Sequence, residues 1–165
     1  MKINTERLIL KKASWEEIQD AKIIRTRIIP SEYNEYLEPE MTLEDEKKWW
    51  DNIVCSNKAI ILSIFSKDEI LLGFLKAFDI KNDICETGIE ILNHENYSKG
   101  YGYEAFSIFL VFLKEKLNLK SSYVLIHPEN KRSIKLFEKL GFVFIGIEKD
   151  IEFDYMSFYK MQMLF

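Results

Sequence analysis

The run Tyr97-Ser98-Lys99-Gly100-Tyr101-Gly102-Tyr103-Glu104 sets two glycines one residue apart, after a strand-like stretch and before a helix-like one. Glycines at such a turn let the backbone approach a ligand, and the first N–H groups of a helix have no internal partner. A helix start of this kind can hold phosphate oxygens through its donors and its macrodipole. The main chain of Lys99, Gly100, Tyr101, Gly102, Tyr103 and Glu104 is therefore a candidate anion cradle. The same spacing also fits a tight strand-to-helix turn with no ligand. It lacks the third glycine of the dinucleotide fingerprint and the Gly-Lys-Ser/Thr ending of a P-loop.

The elements that position this turn are legible in the pattern around it. At 165 residues, with 47% hydrophobic and 30% charged residues, the chain reads as a single domain spanning 1–165. Six glycines and three prolines exclude a collagen-like or linker-type chain. A net charge of −4 leaves no chain-wide basic footprint, so no nucleic-acid partner is expected. Cys55, Cys85, His94 and His127 are too few and scattered for a disulfide scaffold, and no metal is expected. The N-terminus lacks a signal-peptide run, and the most apolar stretch, Ala105 to Leu113, falls short of the ~20 residues of a membrane span. The expectation is a cytoplasmic domain with no membrane partner.

Arg7 to Leu10 reads as a first strand. Ser14 with Glu17 has capping-box spacing and opens a helix whose apolar face is Ile18, Ala21, Ile24 and Ile28, stopped by Pro30. Ser31 to Met41 reads as loop. Thr42 with Asp45 starts a second helix, with Trp49, Ile53 and Val54 at helical spacing. Ala59 to Phe65 and Ile70 to Phe78 form a hairpin over Ser66 to Glu69, and Asn82-Asp83 turns the chain into a third antiparallel strand, Cys85 to Leu92. A helix over Tyr101 to Leu117, a strand over Tyr123 to Ile126, a helix over Asn130 to Leu140 closed by Gly141, and strands Phe142 to Ile147 and Glu152 to Leu164 complete the order. The crossover from Leu92 to Tyr123 demands one parallel pair in a mostly antiparallel sheet. The fold class is α+β, with about seven strands and about four helices.

Gly100 and Gly102, followed by Asn130, Ser133, Phe137, Lys139, Gly141 and Phe142, resemble the GNAT superfamily of N-acetyltransferases. Those proteins carry an Arg/Gln-x-x-Gly-x-Gly/Ala turn for the acetyl-CoA pyrophosphate, then an Asn-x-x-Ser/Ala helix ending in Gly-Phe. Thr5 to Leu10 is similar to the first strand of the branch containing the ribosomal-protein-alanine acetyltransferases. The likeness implies acetyl-CoA as co-substrate, a primary-amine acceptor, and a monomer or homodimer. It places Ile91, Leu92, Asn130 and Ser133 beside the cradle as cofactor-binding residues. Two positions depart from the pattern: Tyr97 stands where the turn carries Arg or Gln, and Phe137 where a tyrosine often serves as general acid. The short turn and the stretch Arg25 to Trp50 are also similar to nucleotide-amino-sugar N-acetyltransferases of pseudaminic-acid synthesis. A CoA-binding module without turnover is the remaining alternative.

The implied reaction is attack of a neutral amine on the thioester, which needs a proton acceptor and an oxyanion donor. The resemblance puts the oxyanion donor at a main-chain N–H where the fourth strand splays, around Leu92-Asn93. Glu90 is the candidate base, acting through water; the alternative is a plain solvent-facing strand carboxylate. Glu86 is a second carboxylate on the same strand, and His94 is either a proton relay or a turn residue. The acids Glu38, Glu40, Glu44, Asp45 and Glu46 either attract a cationic amine or complement a helix start. Trp49 and Trp50 either pack or wall the acceptor pocket. Lys131 and Arg132 either meet the CoA 3′-phosphate or lie solvated at a helix start.

Overall fold

The computed structural model describes residues 2–27, 42–56, 58–149 and 157–165. The loop expected over Ser31 to Met41, Ile28 and Pro30 of the first helix, and Glu152 to Met156 of the last strand lie outside the described residues, as does the side chain of Ile24.

Strands β1 (Lys2–Asn4) and β2 (Leu8–Lys12) lead to helix α1 (Trp15–Arg27). The capping box forms: the Ser14 N–H donates to Glu17 Oε2 at 3.0 Å, and the Glu17 N–H donates to Ser14 Oγ at 3.2 Å. Helix α2 (Leu43–Trp49) starts on Thr42, whose Oγ1 accepts from the Asp45 N–H at 3.2 Å. The chain then widens into a π-helical segment, Trp50–Val54, which turns Trp50 and Val54 inward. Strands β3 (Ile60–Ser66), β4 (Leu71–Lys81) and β5 (Ile84–Ile91) form a meander. Asn82 and Asp83 both have positive φ, 51° and 64°, as a two-residue hairpin turn of primed type requires.

A short 3₁₀ segment, His94–Asn96, leads to helix α3 (Tyr101–Leu117), strand β6 (Ser121–Ile126), helix α4 (Lys131–Lys139) and strands β7 (Val143–Lys149) and β8 (Ser157–Leu164). Gly141 ends α4 at φ 97°, a conformation that favours glycine. Among the described residues the sheet has eight strands in the order β1-β2-β3-β4-β5-β6-β8-β7. The additional strand is β1, whose three residues carry too little pattern to be read alone. Every pairing is antiparallel except β5 with β6, which is the parallel pair that the α3 crossover demands.

Side-chain alternation gives the sheet two apolar faces. Leu10, Leu62, Leu75, Phe106, Phe109 and Val124 form the main core under α3 and α4. Ala21, Trp50, Ile61, Phe74 and Leu92 form a second cluster on the α1–α2 face. No helix among the described residues is long and apolar enough to cross a membrane.

Candidate functional site

Strands β5 and β6 are paired at Ile84–Ser121, Cys85–Ser122 and Glu86–Tyr123, and their ladder goes no further. Beyond that point β6 continues to follow β8, through Leu125–Lys160 and Ile126–Tyr159. Strand β5 stays with β4 as far as Gly73–Ile91. The two parallel strands therefore part at Thr87, whose Oγ1 lies 2.6 Å from Ser122 Oγ and donates to the Tyr123 carbonyl at 3.2 Å. The splay opens five residues earlier than the expected position at Leu92-Asn93.

This earlier opening corrects the role expected of Leu92. Its N–H donates to the Leu72 carbonyl at 2.9 Å, and its side chain is buried in the second cluster. The Leu92 amide is thus spent inside the sheet. In an antiparallel ladder the main-chain groups of successive residues point to opposite edges. Ile89 and Ile91 accordingly turn theirs toward the gap that β6 has left. Glycine is required opposite this segment, because a Cβ on Gly73 would lie 1.9 Å from the Glu90 carbonyl oxygen.

Gly100 is the N-cap of α3 and takes a left-handed conformation, φ 83° and ψ −1°. The Glu104 N–H donates to the Gly100 carbonyl at 3.0 Å and closes the first helical turn. The cradle of the helix start is therefore the amides of Gly100, Tyr101, Gly102 and Tyr103, and Glu104 is not among its main-chain donors. The Glu104 side chain turns back toward the strands. Its Oε1 accepts from Thr5 Oγ1 at 2.5 Å and the Arg7 N–H at 2.9 Å, and its Oε2 accepts from Arg7 Nε at 2.7 Å. Burial alone would push this carboxyl up, but the Thr5 hydroxyl, the Arg7 amide and the Arg7 guanidinium outweigh it and hold it below its ordinary value. Arg7 also donates to the Lys99 carbonyl at 2.9 Å and lies 4.8 Å from the Tyr101 ring centre. Thr5 and Arg7 fix the turn from outside, a long-range contact that local spacing does not reveal.

Helix α4 lies along the other side of the turn. The Arg132 guanidinium sits 3.9 Å from the Tyr97 ring centre, and Lys139 Nζ 4.5 Å from that of Tyr103. Between them, a Cβ on Gly102 would lie 3.5 Å from Leu136 Cδ2 and 3.7 Å from Ile89 Cδ1, so the cradle adjoins β5. Asn130 caps α4, its Oδ1 accepting from the Ser133 N–H at 3.1 Å, which brings these two candidates together. Lys131 Nζ donates to the Pro128 carbonyl at 2.8 Å. Phe137 is buried edge-on against Phe106 and Phe142, ring centres 4.9 and 5.2 Å away, and offers no proton.

Glu90 pairs with Phe74 in the ladder and so lies on the α1–α2 face, opposite Ile89 and Ile91, which pack on the main core. Lys76 Nζ is 3.3 Å from Glu90 Oε2. On the same face Glu86 Oε2 accepts from the Tyr123 hydroxyl at 3.4 Å. Burial pushes the Glu86 carboxyl up, and burial followed by the Glu86 charge pushes the Tyr123 phenol up to about 12. Lys160 stacks 4.3 Å over the Tyr123 ring centre and pairs with Glu148 at 2.7 Å. Trp49 leans on Phe78, the ladder partner of Glu86, at 6.4 Å, while Trp50 packs on Trp15 at 5.9 Å. The His94 ring lies 4.7 Å from that of Tyr97, tilted by 34°. Of the acidic run, Glu38 and Glu40 lie outside the described residues. Glu44 and Asp45 stand in the first turn of α2, and Glu46 pairs with Lys22 of α1. Among the described residues no group of His, Cys, Asp and Glu is arranged to hold a metal ion.

A parallel strand pair parts beside a helix start, with cationic side chains along one flank, and this arrangement sets main-chain donors and positive charge where an anionic group could be held. The chain belongs to the GNAT family of acetyltransferases: residues 7–143 match the acetyltransferase (GNAT) domain. No curated protein sequence matches the chain significantly. Among solved structures it is similar to the spermidine N-acetyltransferase of Vibrio cholerae in complex with CoA and spermine, at 20% identity and TM-score 0.79, over 97% of this chain and 96% of that one. The dodecameric form of the Vibrio cholerae spermidine enzyme gives 21% identity and TM-score 0.77 over 97% and 95%. A ribosomal-protein-S5-alanine acetyltransferase from Vibrio fischeri gives 16% identity and TM-score 0.79 over 99% and 96%. At such identities the likeness establishes the fold.

Proposed function

We propose that the protein transfers the acetyl group of acetyl-CoA to a primary amine, either a protein N-terminus or a small amine, by direct attack in a ternary complex. The observation that carries this reading is the gap beginning at Thr87, toward which Ile89 and Ile91 turn their main chains, beside the Gly100–Tyr103 amides. The amides would take the pyrophosphate, and the carrier arm would lie along the open edge of β5. The acetyl carbonyl would then sit near the amides of Ile91 and Asn93, which would stabilise the oxyanion. The amine would approach from the α1–α2 face, past Trp49 and between Glu86 and Glu90. Glu90 would take its proton through water. CoA thiolate has a moderate pKa and leaves unprotonated, so Phe137 is tolerated. Similar structures bear the names of a spermidine and a ribosomal-protein acetyltransferase, and both kinds of acceptor are amines.

Thermal stabilisation by CoA tests the assignment. A Cβ at Gly102 meets its neighbours at ordinary contact distances, so Gly102→Ala should fold, and circular dichroism would identify folded Gly102→Val. The branched side chain should crowd the cradle, and Gly102→Val should lose the CoA-dependent rise in Tm. A folded Gly102→Val protein stabilised as fully as the parent would move the site elsewhere.

A further inference from the structure

Three residues before Gly100 stands Tyr97, whose side chain brings no charge to the turn. We propose that Arg132 supplies the missing charge from α4, stacked on Tyr97, and meets the pyrophosphate of CoA. The inference rests on the acetyl-CoA reading and adds to it which side chain binds the phosphates.

Three contacts fix the geometry. Arg132, Leu136 and Lys139 recur at helical spacing along one face of α4, and that face meets Tyr97, Gly102 and Tyr103 in turn. Helix α4 therefore runs beside the cradle, with its N-terminal end at Tyr97. Of the two cations at that end, Lys131 is committed to the Pro128 carbonyl. Arg132 is held by a ring face at 3.9 Å, a contact that leaves its N–H donors available at the edge of the guanidinium plane. A planar guanidinium with several donors suits paired phosphate oxygens. Tyr97 is half-buried, and burial raises its phenol pKa, so the ring stays neutral under the cation. Tyr97 is thus a positioning residue, acting through its ring rather than its hydroxyl.

Binding of CoA and of dephospho-CoA, measured by calorimetry at several salt concentrations, tests the proposal. Arg132 is exposed, and Arg132→Gln should fold with an unchanged Tm. It should raise Kd about ten-fold for both ligands, as expected for one lost charge-assisted contact, and flatten the salt dependence. Arg132→Lys should recover part of the affinity. Tyr97→Phe should bind like the parent, while Tyr97→Leu should weaken both ligands. An effect confined to CoA would assign Arg132 to the 3′-phosphate and overturn the pyrophosphate contact. Unchanged affinity, weakening without a change in salt dependence, or a loss in Tyr97→Phe would overturn the proposal as well. A parent protein that binds neither ligand would sink the acetyl-CoA reading itself, and this inference with it.

Discussion

The Arg7 guanidinium lies 2.7 Å from the Glu104 carboxylate, and this contact across 97 residues joins the turn before β2 to the first turn of α3. Arg7 reaches on to the Lys99 carbonyl, so the residues before and after Gly100 are tied to the same side chain. The pair is partly open to solvent, with side-chain exposures of 43% and 18%, so screening limits its contribution. Glu104→Gln should cost about 1 kcal/mol of stability, since it weakens bonds made to a charged acceptor. The same variant should weaken CoA binding by loosening the turn. Chemical denaturation and CoA titration of one preparation would check both effects.

Glu17 and Glu104 should both contribute to the acid limb of the stability curve. Burial pushes Glu17 up, but Lys11, the Ser63 hydroxyl and the Ser14 amide outweigh it and hold it below the ordinary value of 4.5. Glu104 is likewise lowered. A folded-state pKa below the unfolded one gives stability that is fully present above about 4.5 and is lost as pH falls through the folded value. Unfolding free energy should therefore decline as pH drops from about 4.5. The decline should be shallower in Glu17→Gln and in Glu104→Gln, as urea midpoints at each pH would record.

Gly73 sets how close β4 comes to β5. A Cβ there would overlap the Glu90 carbonyl oxygen at 1.9 Å, and backbone cannot yield as a flexible side chain can. Gly73→Ala should destabilise by roughly 1–3 kcal/mol, the usual range for overpacking. Its residual folded form should turn over more slowly, with β5 displaced at Glu90. An unchanged Tm would contradict the close approach.

Capping and ligand contact at Asn130 can be separated. Serine also caps well, so Asn130→Ser should keep the Tm, whereas Asn130→Ala should lose about 1 kcal/mol. If the amide also donates to the CoA arm, both variants should raise the KM for acetyl-CoA. A KM unchanged in Asn130→Ser would confine this side chain to its bond with the Ser133 N–H.

Local chemistry explains which features were legible in the sequence. The Ser14–Glu17 box, the Thr42 cap, the Asn82-Asp83 turn and the bounds of α3 each depend on residues within a few positions of one another, and all appear as expected. The parallel β5–β6 pair followed from the strand–helix–strand order, which needs a crossover connection. Features set by tertiary partners were not legible. The splay begins at Thr87 because β6 follows β8, and Leu92 is withdrawn because its amide pairs with Leu72. The Glu104 carboxylate is held by Thr5 and Arg7 from the turn between β1 and β2, nearly a hundred residues away. The Trp50–Val54 segment carries apolar spacing close to that of an α-helix, and its π form shows only in the hydrogen bonds.

Free-thiol release from acetyl-CoA, followed against pH with N-terminal peptides, polyamines and nucleotide amino-sugars as acceptors, shows whether the protein acetylates amines and whether Glu90 takes the proton. The parent protein should release thiol only when an amine is present. Glu90→Gln should be slower by at least about 10², the lower end of general-base assistance, near neutral pH. The deficit should shrink at high pH, where the amine is already neutral. Thiol release that no amine stimulates from a CoA-stabilised protein, or superimposable pH profiles for the two forms, would contradict amine acetylation with Glu90 as base.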